Sequence, residues 1–183
     1  MTDHPPSAKG DPGHWIREAL EHNERPLMQY ATRVLGGDVD RARDVVQETF
    51  LRLCNQKRED VEEHLTEWLF RVCRNQALDV YRKESRMSTL SDEQAKQTVD
   101  ANASPSSAME RDDELGLVLG CLERLPDKQQ EALRLKFQHG LSYKEIARVT
   151  EESIGNVGWL IHEGIKGLRL RLSSDETMKG AQA

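Results

Sequence analysis

The sequence predicts an all-α protein of two small helical domains joined by a flexible linker, and three observations carry that expectation. Apolar residues recur every three or four positions through most of the chain and nowhere alternate with the period of two that marks a strand. Residues 87–109, MSTLSDEQAKQTVDANASPSSAM, hold few large apolar groups and cannot bury enough surface to order themselves. Leu141 to Leu172 reads as a helix, a four-residue turn and a second, longer helix, which is the helix-turn-helix plan.

Taken in order, residues 1–13 are Pro/Gly-rich and polar and are expected to be disordered. A first domain over 14–86 carries helical patterning from about Trp15 to Arg86, broken at Gly36-Gly37 and around Asn55 to Asp60. Within it, Ala42, Val45, Val46, Phe50 and Leu53 make the inner face of a helix over Asp38 to Cys54. Leu65, Leu69, Val72, Cys73, Gln76 and Val80 do the same for the helix that follows. After the linker, a second domain over 110–173 opens on the apolar positions Leu115, Val118, Leu119, Leu122 and Leu125. The pattern stops at Pro126, restarts through Ala132, Leu133 and Phe137, and ends at Gly140, a residue suited to a left-handed helix end. Ile146, Ala147 and Val149 turn the next helix inward, and Thr150-Glu151-Glu152 interrupts it. Ser153 is placed to cap the last helix, whose stripe is Ile154, Val157, Ile161, Ile165, Leu168 and Leu172. Residues 174–183 read as a disordered tail.

Composition bounds the function classes. The formal charge of −6 supplies no global basic field for holding nucleic acid, so any such contact must come from local patches or a larger partner. Cys54, Cys73 and Cys121 are odd in number and lack CxxC spacing, which suits small core residues in a reducing compartment and neither disulfides nor zinc. The six histidines show no metal-ligand spacing and are expected at the surface or in turns, so no metal or cofactor is expected. No apolar run approaches a membrane span, and the first residues do not form a signal peptide, so a cytoplasmic protein with no membrane insertion is expected. There is no Gly-rich phosphate loop, nucleophile motif or pair of carboxylates in an apolar setting, and no catalytic residue is assigned: the protein is not expected to be an enzyme.

Two further faces carry chemistry. On Leu65 to Arg86, Trp68, Arg71, Asn75, Asp79 and Arg82 share a side, and over 68–86 five cations stand against Asp79 and Glu84. Cations interleaved with Trp68 and Tyr81 suit single-stranded or melting DNA, where arginines track phosphates and an aromatic face stacks a base. The alternative is a solvated helix face with Trp68 packed in the core. On Asp38 to Cys54, the outer side collects Asp44, Gln47, Glu48 and Leu51, an apolar centre with a polar rim of the kind that docks on protein.

These residues carry a family resemblance. ARDVVQETFLRLC (42–54) followed by EWLFRVCRNQALDVYRK (67–83) closely resembles region 2 of bacterial RNA polymerase sigma factors. LPDKQQEALRLKFQHGLSYKEIARVTEESIGNVGWLIHEGIKGLRLRL (125–172) resembles their region 4. The two stretches occur in the family's order around a variable linker, as in the small extracytoplasmic-function class. The resemblance implies that Asp44, Gln47, Glu48 and Leu51 lie at a contact with core RNA polymerase, in a motif that also holds Thr49 and the core residue Phe50. It implies that Trp68, Arg71, Arg74 and Asn75 capture the unwound −10 strand of promoter DNA, with Asp79, Arg82 and Lys83 continuing toward the duplex. Ser142, Tyr143, Lys144 and Glu145 would open the first helix of the helix-turn-helix, and Ser153, Gly155, Asn156, Trp159 and Lys166 would lie with the second against the −35 element. An anti-sigma factor is a frequent partner in the family.

This second helix departs from the family's Lys/Arg-rich pattern. Gly158, Leu160, Glu163 and Ile165 stand at the usual cationic places, and Lys166, Arg169 and Arg171 are cations of its last turns. Every phosphate left without a cation lowers affinity and salt dependence together. A stand-alone helix-turn-helix regulator and a protein-binding helical adaptor that no longer starts transcription remain as other classes of function.

Overall fold

A computed structural model of the chain describes residues 12–91 and 111–180, with side chains over 13–83 and 115–173. The described residues form two compact units, divided between Ala101 and Asn102. No strand occurs among them. The expectations for residues 1–11, 92–109 and 181–183 lie outside the described residues, while Pro12 and Gly13, expected in the disordered N-terminus, belong to a helix.

In the first unit, α1 (Pro12–Val34) opens on a proline, whose missing N–H costs nothing in a first turn. A second proline, Pro26, lies inside α1 without ending it. Gly36 and Gly37, with φ of +66° and +97°, make the turn that a side chain would strain. Asp38 then caps α2 (Val39–Cys54) through a hydrogen bond from the Arg41 N–H. A short α3 (Arg58–Val61) and a 3-10 turn (Glu62–His64) lead into α4 (Leu65–Ser91). Helices α1, α2 and α4 pack against one another. Their core includes Leu27, Ala31, Leu53, Leu69, Phe70 and Cys73, and Tyr30 meets Phe70 edge to face at 5.4 Å. One polar pair crosses it: the buried Gln76 amide donates to Thr49 Oγ1 at 3.2 Å, and Thr49 donates to the Val45 carbonyl.

In the second unit, α5 (Arg111–Glu123), α6 (Asp127–Phe137) and α7 (Tyr143–Thr150) all pack on α8 (Ile154–Gly180). The buried Gln130 amide donates to the Glu123 and Leu125 carbonyls, closing the end of α5 that Pro126 interrupts. Gly164 and Gly167 bring α8 close to its neighbours. A Cβ at either would stand 2.8 Å from a buried leucine side chain, Leu133 or Leu125 respectively. Arg171 reaches from α8 to the Arg124 carbonyl. Gly140 has φ +74°, the left-handed conformation expected where α6 gives way to α7.

Several expectations are corrected. Helix α4 continues through residue 91 and α8 through residue 180, beyond the ends placed at 86 and 173. Neither extension meets a proline, and lengthening an existing helix is cheap once it is nucleated. Cys54 is exposed at the last position of α2, while Cys73 and Cys121 are buried. Leu115, Val118, Leu119, Phe137 and Ile154, which carry the apolar pattern of their helices, are exposed. Periodicity identifies an apolar side of a helix and says nothing of whether a neighbour covers it. His139 is half-buried, and the turn between α7 and α8 spans three residues, Glu151 to Ser153.

Candidate nucleic-acid and protein interfaces

The outer side of α2 is a direct product of its amphipathic sequence. Ala42, Val45, Val46, Thr49, Phe50 and Leu53 are buried, which leaves Asp44, Gln47, Glu48 and Leu51 together on the exposed side. Leu51, at the C-terminal end of this row, is 60% exposed. Glu48 is held by Arg52, one turn on, at 3.2 Å. Such an exposed pair is worth little and yields readily to a partner. The expected contact residues do not include Arg52, although its i, i+4 spacing from Glu48 signals the pair.

The α4 face is smaller than expected. Trp68 is only 9% exposed and belongs to the core, together with Glu67, Leu69 and Phe70. Four consecutive buried residues, Glu67 to Phe70, occupy a full turn near the start of α4, so the helical period assigns no outer face within that turn. The surface row runs instead through half-buried Arg71 and Arg74 to exposed Asn75, Asp79, Arg82 and Lys83. Arg82 and Asp79 lie 3.5 Å apart. The exposed aromatic on this helix is Tyr81, at 57%.

The helix-turn-helix is built from two caps and one left-handed residue. Ser142 caps α7 by accepting from the Glu145 N–H, and the Glu145 carboxylate accepts from the Ser142 N–H at 2.7 Å. This reciprocal box uses the Ser142 hydroxyl within the protein, and its hydrogen bonds hold the Glu145 carboxyl below the usual carboxylate range. Glu151 takes φ +59° and reverses the chain. Ser153 then caps α8 by accepting from the Asn156 N–H at 3.1 Å, as its sequence position implied. Tyr143 is exposed beside Lys144, with the Lys136 ammonium 5.5 Å from its ring centre. The Tyr143 ring also lies where Gly158 leaves room, about 3.8 Å from the position of a Cβ there.

Along α8, Gly155, Trp159, His162 and Lys166 form one exposed row, and Trp159 is 56% exposed. Lys166 lies 3.9 Å from Glu163, whereas Leu160 is buried and so presents nothing outward. Lys166, Arg169 and Arg171 fall near the middle of this helix, because it continues to Gly180. Asn156 is half-buried, and its amide donates to Glu152 Oε2 at 2.7 Å. The other oxygen of that carboxylate takes Lys128 of α6 at 2.7 Å. Neither Glu152 nor Lys128 was expected at this site; they lie 24 residues apart and only the fold joins them.

No group of His, Cys, Asp and Glu among the described residues could hold a metal ion. None of the described helices is long and apolar enough to cross a membrane.

The chain matches two family models, sigma-70 region 2 over residues 19–87 and sigma-70 region 4 over residues 115–168. The ECF RNA polymerase sigma factor SigM of Bacillus subtilis is 32% identical over 139 residues, which cover 74% of this chain and 83% of that protein. The ECF RNA polymerase sigma factor EcfG of Rhodopseudomonas palustris is 32% identical over 124 residues, 67% of this chain and 66% of that protein. Among solved structures, the sigma factor RpoE from Bartonella quintana, in complex with the anti-sigma factor NepR, has a TM-score of 0.66 at 24% identity. That likeness covers 87% of this chain and 97% of the other, and it speaks to the fold.

Proposed function

The chain belongs to the extracytoplasmic-function class of sigma-70 RNA polymerase sigma factors, and from that membership we propose how its surfaces divide the work of transcription initiation. The outer row of α2, Asp44, Gln47, Glu48 and Leu51, docks on core RNA polymerase. The α4 row of Arg71, Arg74, Asn75, Asp79, Arg82 and Lys83 takes the −10 strand, with Tyr81 as its exposed aromatic. The helix-turn-helix takes the −35 duplex through Tyr143, Lys144, Ser153, Gly155, Asn156, Trp159 and Lys166. The observation that supports this division is the separation of chemistry in the first unit: an acidic and apolar row on α2, a cationic and aromatic row on α4. The reading includes a cytoplasmic regulator without catalytic activity. It also includes an anti-sigma factor, since RpoE of Bartonella quintana is held by one.

The test is transcription in vitro with purified core polymerase on promoter templates. Gln47→Ala with Glu48→Ala should weaken core binding, by about 1–2 kcal/mol if both contact the partner. Arg71→Ala with Arg82→Ala should leave core binding intact and suppress promoter opening. If the arginine pair instead released the chain from core, the two rows would have been assigned the wrong way round. Trp68→Ala does not serve as a probe of DNA contact. It empties a core position, at a cost of about 3–5 kcal/mol to the first unit.

A further inference from the structure

The Lys128–Glu152–Asn156 chain gives the helix-turn-helix a part that its motif does not contain. We propose that Glu152 is a positioning residue for base reading: its carboxylate orients the Asn156 amide so that this side chain selects adenine. The proposal rests on the reading of α8 as the promoter-duplex helix and goes one step beyond it.

The two ends of an asparagine amide are nearly equal in shape and opposite in hydrogen-bonding sense. An ionised carboxylate accepts only, so the Glu152 contact at 2.7 Å identifies the near end as nitrogen. That bond uses one amide hydrogen and leaves the second, with Oδ1, for another partner. Adenine offers the matching pair in the major groove, an N6–H donor and an N7 acceptor. The main chain beneath is held as well, because the Asn156 N–H is taken by Ser153 Oγ at 3.1 Å.

Glu152 is itself fixed from both directions. Its Oε1 meets the Lys128 ammonium at 2.7 Å, and its N–H donates to the Ala147 carbonyl at 3.1 Å. Its place is set by Glu151, whose left-handed conformation turns the chain back over the end of α7. Lys128 has a second effect. A bare carboxylate beside the first turn of a DNA-facing helix would repel phosphate, and the ammonium offsets that charge.

The experiment uses the full chain with core RNA polymerase and a fully randomised duplex pool. Bound DNA gives a consensus, and each variant is then measured on that consensus and on its single-base changes. Asn156→Ala should reduce the preference for adenine at one upstream position about tenfold and leave other positions unchanged. Glu152→Ala should reduce the preference at the same position, by about threefold, the effect of removing one orienting hydrogen bond. In the double variant the reduction should equal that of Asn156→Ala alone, because the two substitutions act through one side chain. Glu152→Gln, which keeps an acceptor, should retain most of the preference. If Asn156→Ala altered no base preference, base reading by α8 would fall and the proposal with it. If Asn156→Ala were selective while Glu152→Ala was silent, or weakened every upstream position alike, the positioning role alone would be overturned.

Discussion

Two side chains test the fold directly. Burial pushes the Cys73 thiol up to about 12, with the hydrogen bond to Thr49 acting weakly the other way. Cys121 is buried too, and Cys54 is exposed. Iodoacetamide at neutral pH should therefore modify Cys54 and spare the other two until the protein is denatured, as peptide mass spectrometry would read. Rapid modification of Cys73 in the native chain would contradict the α2–α4 packing. His139 sets a pH dependence in the second unit. Burial, and then the Arg134 guanidinium, lower it from 6.5 to about 4. Between those values the unfolded chain binds a proton that the folded chain does not, so stability rises with pH across that window. Acidifying from about 6.5 to about 4 should lower the thermal midpoint, and His139→Gln should flatten this dependence. A thermal midpoint equally sensitive to pH in the variant would assign the effect to other groups. The cysteines also mark the reach of sequence reasoning. Cys73 and Cys121 behave as small core residues, whereas Cys54, of the same type, falls on the outer side because α2 ends there.

At the scale of elements, α2 was legible because one side of it is covered and the other is not; its five expected inward residues are all buried. The turn Glu67–Phe70 of α4 was illegible for the opposite reason, since burial of all four residues hides the period and places Trp68 in the core. Helix α5 was legible as a helix but not in how its apolar residues pack. Leu115 stands 57% exposed, with Val118 and Leu119 also exposed, on a helix that packs on α8. In the Glu152 bracket the i, i+4 spacing to Asn156 was a local signal, but Lys128 had none, because it comes from another helix. Packing of α8 gives a contrast to measure by denaturant unfolding. Gly120 has open space at its Cβ position, so Gly120→Ala should stabilise by about 0.5–1 kcal/mol through helix propensity. Gly164→Ala gains the same propensity but drives a methyl into buried Leu133, and overpacking of about 1–3 kcal/mol should make the net effect destabilising. A Gly164→Ala variant more stable than the parent would show that Leu133 has room to move.

For the whole molecule, charge decides how promoter binding must be organised. A net −6 opposes approach to DNA, and the cations of α4 and α8 are few and partly paired. On the proposed reading, binding should therefore depend on polymerase to hold both units near their sites, through effective concentration rather than intrinsic affinity. Fluorescence anisotropy with a labelled promoter duplex at ~150 mM salt should show no saturable binding by the chain alone, and binding once core polymerase is added. Tight binding without polymerase would favour a stand-alone regulator. The close approach at Gly164 and Gly167 bears on that same encounter. A smooth helix lying in a groove is free to roll about its own axis, but two notches three residues apart, one facing Leu133 of α6 and the other Leu125 of the turn between α5 and α6, act as a key in its lock. The azimuth of α8 is thus decided at the notches, and the rigid helix transmits it some ~12 Å back to Asn156, at about 1.5 Å per residue. On the proposed reading of α8, the edge that it turns toward a base is set two turns away, at Gly164 and Gly167.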